Sequence, residues 1–346
     1  MQVYYRISDD GNQTTEEFSF PTALGNSYNG RKKNVPFKFL TYGDMNVNQD
    51  SEDTLRLIKK IIKSDPDVRF IIHQGDIPYA WNGDENIWDR WGDLAQPVTA
   101  NMPYMVVVGN HESDAGFKAY KHRFTNSTGR NSNSKEGNIY YSFNYQNVHF
   151  IGLSTEHNFS RGSRQYNWLK SDLKNIDEDE TPFTIIYTHR PMYCSNSNHH
   201  EDDIGPKFRD AIEPLFKDYK IDLVLYGHVH AYERTCSISF KSKCEKSVLG
   251  KYYYKEPKGT IHLVIGTAGY ESNQEWEVKP SWSKYRETSH GLVMITVADN
   301  TLLYGKYIRN DETVGDVFMI DKESTPLKKS GLLKEKKSDP VQNPLK

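Results

Sequence analysis

Five short apolar runs in this chain each break into a glycine or a short polar turn that carries a carboxylate, an amide or an imidazole. Phe37-Lys38-Phe39-Leu40-Thr41-Tyr42 is followed by Gly43-Asp44, and Val68-Arg69-Phe70-Ile71-Ile72 by Gly75-Asp76-Ile77-Pro78-Tyr79. Met105-Val106-Val107-Val108 leads to Gly109-Asn110-His111-Glu112, Thr184-Ile185-Ile186-Tyr187 to Thr188-His189, and Ile221-Asp222-Leu223-Val224-Leu225-Tyr226 to Gly227-His228-Val229-His230. Apolar runs of this length bounded by turn residues read as buried strands. The loop at a strand's carboxyl end is where α/β proteins place their chemistry. A single Gly-Asp pair means little, because turns favour both residues. Five such segments in succession, each at a strand end, are hard to assign to turns.

Between these runs the chain alternates strand and helix. A helix capped by Asp50 or Ser51 would carry Leu55, Ile58, Ile61 and Ile62 on one side, and further helices are expected over 164–176 and 205–219. More strands are expected at 148–153 and 261–265, and the alternating runs 291–298 and 301–308 predict an antiparallel ending. The predicted fold is α/β, with two packed mixed β-sheets flanked by helices. Ahead of it, residues 3–7 and 16–20 alternate around Gly11-Asn12 as a β-hairpin would. Such a hairpin is either the end of a β-domain or a piece docked on the main body. The expected organisation is therefore 1–34 for hairpin and linker, 35–322 for the main domain, and 323–346 for a Lys-, Ser- and Pro-rich mobile tail.

A length of 346 residues exceeds the roughly 250–300 at which one core stops growing, which suits one large domain with an appendage. With 44 basic against 46 acidic residues the net charge is −2, so nothing in the charge favours nucleic acid or an anionic membrane as partner. No window approaches the roughly 20 apolar residues of a membrane span. Cys194, Cys236 and Cys244 are too few for a disulfide-built scaffold; Cys236 and Cys244 could pair or stay reduced. Asn12, Asn126 and Asn158 each begin an Asn-x-Ser/Thr triplet, which matters only in a secretory compartment.

The candidate ligands are Asp44, Asp76, Tyr79, Asn110, His189, His228 and His230, with no cysteine in the five segments. Hard oxygen donors mixed with imidazoles suit iron, manganese or zinc, and not a cysteine-built structural site. Seven groups are too many for one metal that must keep open positions, but they serve two metals if one carboxylate bridges. Two metals about 3.5–4 Å apart clamp the entering and leaving oxygens of a phosphoryl displacement and acidify a water. Phosphate-ester hydrolysis is the chemistry this set predicts.

These residues resemble the metallophosphoesterases, and within them the purple acid phosphatases. The resemblance runs through Gly43-Asp44, Gly75-Asp76-x-x-Tyr79, Gly109-Asn110-His111-Glu112, His189, Gly227-His228-Val229-His230 with Ala231-Tyr232-Glu233-Arg234, and Ser281-Trp282-Ser283-Lys284-Tyr285-Arg286, covering about residues 37–320. It implies an αββα fold and an acid phosphatase that hydrolyses phosphate monoesters with a hydroxide activated by a dinuclear centre. Asp44, Tyr79 and His230 would hold Fe(III); Asn110, His189 and His228 would hold zinc, iron or manganese; Asp76 would bridge. A phenol titrates near pH 10, so phenolate binding at acid pH asks for a strongly acidic metal such as ferric iron, and the colour of the family is charge transfer from that phenolate. His111, His199 and His200 stand where family histidines bind phosphate oxygens, and one of these protonates the leaving alkoxide.

The resemblance also makes the hairpin the end of a fibronectin-like domain and points to a secreted or lysosomal glycoprotein acting on small phosphorylated substrates. One position departs from the pattern: Asn46 stands where the family has glycine, and reads as a loop residue or a weak neighbour of the ferric site. Two metals attack diesters as readily as monoesters, so a phosphodiesterase or pyrophosphatase is the nearest alternative. A metal-binding but inactive interaction module is the alternative of another class.

Overall fold

The computed structural model describes residues 2–9, 11, 13–24, 27–28, 31–32, 35–124, 138–197, 203–245 and 252–322. The expected tail at 323–346, the histidines His199 and His200, and the acceptor residues Asn12 and Asn126 lie outside the described residues.

The chain opens with the hairpin β1 (Gln2–Tyr5) and β2 (Phe18–Pro21), antiparallel as the alternation predicts, then a short pair β3 (Ser27–Tyr28) and β4 (Arg31–Lys32). The hairpin docks on the main body through Tyr5, whose hydroxyl donates to Ala100 O at 2.7 Å.

Alternation of strand and helix then builds the first half: β5 (Phe37–Tyr42), α1 (Gln49–Ser64), β6 (Val68–His73), α2 (Glu85–Thr99), β7 (Tyr104–Val106) and α3 (Lys118–Arg123). The second half runs β8 (Tyr141–Tyr145), β9 (Val148–Gly152), α4 (Arg164–Lys174), β10 (Phe183–Tyr187), α5 (Ile204–Tyr219), β11 (Leu223–Tyr226) and β12 (Tyr232–Thr235). It ends with β13 (Tyr253–Lys255), β14 (Ile261–Ile265), β15 (Ser283–Glu287), β16 (Gly291–Val297), β17 (Leu302–Arg309) and β18 (Val314–Asp321).

Two mixed seven-stranded sheets result, in the orders β15-β12-β14-β11-β10-β9-β8 and β13-β18-β17-β16-β5-β6-β7. In each, the strands that precede candidate site loops are parallel and joined by helical crossovers, β5-α1-β6-α2-β7 in one and β9-α4-β10-α5-β11 in the other. Parallel strands need such crossovers, and all their carboxyl ends then lie on one edge. The antiparallel ending predicted from 291–298 and 301–308 is β16 and β17, which extend the second sheet from β5. Among the described residues, no helix is long and apolar enough to cross a membrane.

The sheets meet through aromatic side chains that the strand pattern turns inward. Phe39 and Phe70 of one sheet stack at 5.2 Å, and each meets the edge of Phe150 from the other at 5.3 Å. A buried ion pair ties the same layers at their far side. Arg234 of β12 grips Asp316 of β18 with Nε–Oδ2 at 2.6 Å and Nη2–Oδ1 at 2.9 Å, while Tyr232 donates to the same carboxylate and Tyr254 accepts from the guanidinium.

Two local expectations need correction. The α1 cap is Asn48, whose side chain accepts from Ser51 N; Ser51 lies inside the helix, and its hydroxyl is drawn to Met45 O and Asn48 Oδ1. Helix α2 is not foreseen by the sequence reading, because Gly92 and Pro97 interrupt it; its buried face of Trp88, Trp91, Ala95 and Val98 nonetheless recurs at three to four residues. The open question of the cysteines has an answer here: Cys236 and Cys244 are disulfide-bonded, and Cys194 is buried and free.

Removing one partner of a buried ion pair leaves an uncompensated charge, which typically costs about 3–5 kcal/mol. Asp316→Ala is therefore expected to lower the unfolding free energy by about that amount in urea titrations. A loss below about 1 kcal/mol would mean that Arg234 finds another partner or water.

Candidate metal centre

All five strand-end loops converge on one edge where the two sheets meet. The Asp44 carboxylate, after β5, accepts the His228 backbone N–H at 3.0 Å through Oδ1 and at 2.8 Å through Oδ2. From β10 in the opposite sheet, His189 donates from Nδ1 to Gln74 O at 2.8 Å, which aims its Nε2 at Asn110 Oδ1, 2.9 Å away, and at Asp76 Oδ2, 3.2 Å away. His228 Nδ1 faces the same Asn110 oxygen at 2.9 Å. Asp76, His189 and His228 each offer a ligand atom within 4.8 Å of the others. Beside this group, Tyr79 Oη donates to Asp44 Oδ1 at 3.1 Å and lies 2.9 Å from His230 Nε2, which is itself 3.5 Å from Asp44 Oδ1.

The seven candidate ligands thus fall into two neighbouring sets, one of Asp44, Tyr79 and His230 and one of Asn110, His189 and His228, with Asp76 against the second. The donor chemistry fits a pair of metal ions. Each set mixes oxygen with imidazole, and the carbonyl of Gln74 accepts from His189 Nδ1 and so leaves Nε2 free to face a metal.

Backbone strain is concentrated at these same residues. Asp44 (φ 63°), Asp76 (φ 52°), Tyr79 (φ 52°) and His228 (φ 70°) all occupy the left-handed region, at a cost of about 1–2 kcal/mol each. What holds them there is a set of buried hydrogen bonds. Glu112 accepts from Asp76 N (2.8 Å), Ile77 N (2.8 Å) and Gly109 N (2.7 Å), so one carboxylate fixes both the second and the third loop. Two glycines allow the close approach: a side chain on Gly227 would put Cβ 2.5 Å from Asp44 Oδ2, and one on Gly109 would overlap Asp76 Oδ1.

The electrostatics of the site reflect the same crowding. Burial works against the charged form of Asp76, yet His189 and His111 hold its carboxyl well below the usual range. Burial likewise opposes His189, but Asp76 and Asp44 push it up to about 10. Burial, with His189 and Arg190 alongside, holds His228 well below an ordinary imidazole, and burial beside Asp44 and Asp76 keeps Tyr79 a neutral phenol.

Of the other predicted residues, His111 lies at the site, its Nε2 3.8 Å from Asp76 Oδ2 and its backbone N–H donating to Asp76 Oδ1 at 2.9 Å. Asn46, at φ 81°, is a half-buried loop residue whose N–H donates to Ile77 O at 3.0 Å.

Sequence reasoning missed three contributors. Arg190 places Nη1 3.1 Å from His228 Nε2 while Glu156 grips its Nε at 2.9 Å; its position next to His189 was the available signal. Glu112 was visible in its motif, but its role was not. Asn273, which accepts from His230 N at 2.8 Å through Oδ1, sits in a segment with no pattern at all.

Two facing mixed sheets with such a cluster at their shared carboxyl edge define a metallophosphoesterase. Residues 37–232 match the calcineurin-like phosphoesterase family, and residues 259–317 match the family described as iron/zinc purple acid phosphatase-like protein C. The chain belongs to the purple acid phosphatases, a family of phosphatases that uses a dinuclear metal centre.

It is 33% identical over 321 residues to probable purple acid phosphatase 20 of Arabidopsis thaliana, covering 90% of this chain and 68% of that protein. It is 30% identical to probable inactive purple acid phosphatase 9 of the same plant, covering 92% and 54%. The structure of a purple acid phosphatase from yellow lupin (Lupinus luteus) seeds superposes with a TM-score of 0.80 at 26% identity, over 92% of this chain and 59% of that one. The chain thus spans between about half and two thirds of the length of these relatives.

Replacing Glu112 by glutamine puts an amide NH2 against at least one of three backbone donors. The expected loss of stability is about 2–3 kcal/mol, read by chemical unfolding, because a buried donor is left unmatched. An unchanged midpoint would show that Glu112 does not hold these loops.

Proposed function

We propose that this chain hydrolyses phosphate monoesters as an acid phosphatase. The observation that supports it most is the convergence of seven side chains from five strand ends, in two sheets, on one buried edge. Asp44, Tyr79 and His230 would hold Fe(III), Asn110, His189 and His228 would hold a divalent zinc, iron or manganese ion, and Asp76 would lie between the two. When bound, such a pair supplies Lewis acidity to phosphoryl oxygens and a nucleophile from water at acid pH.

The chain's own residues do the rest. Gln74 and Asn273 orient His189 and His230, and Glu112 holds Asp76 in its left-handed conformation. His111 offers a half-buried imidazole to the phosphoryl group, and Arg190, its charge paired with Glu156, presents Nη1 at the site 3.1 Å from His228 Nε2. Small phosphorylated molecules are the expected partners. A secreted or lysosomal location is supported by the Cys236–Cys244 disulfide, since such bonds persist in oxidising compartments. A second reading, a metal-binding but inactive protein, is favoured by the word "inactive" in the names of several relatives of similar identity.

Metal analysis of the purified protein, with assays on an aryl phosphate monoester and its diester at acid pH, separates these readings. Two metals per chain with faster monoester turnover supports the proposal. Faster diester turnover makes it a phosphodiesterase, and full metal content without turnover on either makes it the inactive module.

Tyr79→Phe tests the ferric half. The wild-type protein is expected to contain iron and absorb in the visible, and the variant to lose that band while its fold and part of its activity persist. A colourless, iron-free wild type that is active with zinc or manganese would overturn the ferric assignment and leave phosphoesterase activity standing.

A further inference from the structure

We infer that Trp81 is a specificity-determining residue that receives the leaving group of the ester, and that the group it fits is a neutral planar ring, an aryl alcohol or a nucleoside. This rests on the phosphoesterase reading above and names its substrate class.

Trp81 lies two residues past Tyr79, yet it is 59% exposed, whereas Trp88 and Trp91 of the following helix are 3% and 5% exposed. It is the outer end of a ladder of rings that begins at the candidate metal centre. Tyr270 stacks on Tyr79 at 3.7 Å, Tyr79 meets His111 at 4.3 Å, and His111 meets Trp81 at 4.5 Å with the rings at 87°. Exposure rises outward along it, from the buried Tyr79 through the His111 side chain at 16% to Trp81. With phosphorus at the Asp76, His189 and His228 cluster, His111 is the first ring on this path to solvent and Trp81 the next.

The backbone that carries the indole is also held in place, and the ring itself rests on His111. The Trp81 backbone N–H donates to Tyr79 O at 3.1 Å, and the next residue, Asn82, is left-handed at φ 56° with its N–H fixed by Asp114 Oδ2 at 2.8 Å. The facing loop carries three consecutive left-handed residues, Ala115 (φ 51°), Gly116 (φ 67°) and Phe117 (φ 61°). L residues adopt that conformation only at a cost, so two strained loops support one exposed ring. A pre-positioned aromatic loses little entropy on stacking a planar partner. The charges nearby set the kind of partner: Asp84 and Asp114 on the same two loops oppose a second phosphate and favour a neutral ring, while Glu85, at the start of α2, is paired with Arg123 at 2.8 Å.

The test compares kcat/KM for adenosine 5′-monophosphate and for glycerol phosphate in wild type, Trp81→Ala and Trp81→Phe. It adds calorimetric binding of a non-hydrolysable nucleoside phosphonate and of methylphosphonate. The ratio of nucleotide to glycerol phosphate is expected to fall roughly 5- to 100-fold in Trp81→Ala, mainly through KM, and to be largely retained in Trp81→Phe. The affinity for the nucleoside phosphonate should weaken by a similar factor relative to methylphosphonate.

A ratio that changes less than about twofold, or equal losses on both substrates, overturns the inference while leaving the phosphatase reading intact. If the wild type turns over neither substrate, binding alone decides. A preference for the nucleoside phosphonate that Trp81→Ala abolishes supports the inference, and no preference in the wild type overturns it.

Discussion

Two hydrogen bonds between the sheets set everything else at the site: the His228 amide on the Asp44 carboxylate, and the His189 ring on the Gln74 carbonyl. Each joins the carboxyl end of a strand in one sheet to that of a strand in the other. They help join the three loops of one sheet, already tied together by Glu112 and by the Asp44 and Met45 amides, to the two of the other, since no single sheet carries all the candidate ligand types. The aromatic packing of Phe39, Phe70 and Phe150 supplies the rigid base on which these short contacts can be kept.

The site is expensive, and the structure shows what offsets it. Four of the seven candidate ligands are left-handed, and Asp44, Asp76 and His189 are almost wholly removed from solvent. Buried carboxylates and imidazoles are tolerated only when paired, and here they compensate one another: His189 is pushed up and Asp76 down by the same neighbourhood. Glu112 shows how backbone strain is held, with one carboxylate occupied by three N–H groups from two loops. Arrangements that combine strain, buried charge and close glycine contacts in one place belong to function rather than to stability.

Family membership defines the chemistry more narrowly than it defines the substrate. The candidate ligands stand on the inner edge, whereas Trp81 and the strained loop at Ala115–Phe117 stand outward of it. Relatives of comparable identity differ even in whether their names call them inactive. Selectivity therefore has to be sought in the walls around the centre, in residues such as Trp81 and Arg190 that no ligand motif contains.

Much of this was legible in the chain itself. Each candidate ligand was flagged by the same local device, a short apolar run that reads as a strand followed by a residue that a turn tolerates. The order of helices and strands likewise called for mixed sheets in which parallel strands end on a shared edge. Tertiary structure decided what local pattern cannot encode. Asn273 reaches His230 from 43 positions away, and Arg234 meets Asp316 from 82 positions away, so neither leaves a trace in its own neighbourhood. Ser51 looked like a cap, but a buried helix entrance drew its hydroxyl elsewhere. Sequence by itself determined which groups stand at strand ends. Only the packing of two sheets determined which of them touch, because contact depends on distances through space that sequence spacing does not carry.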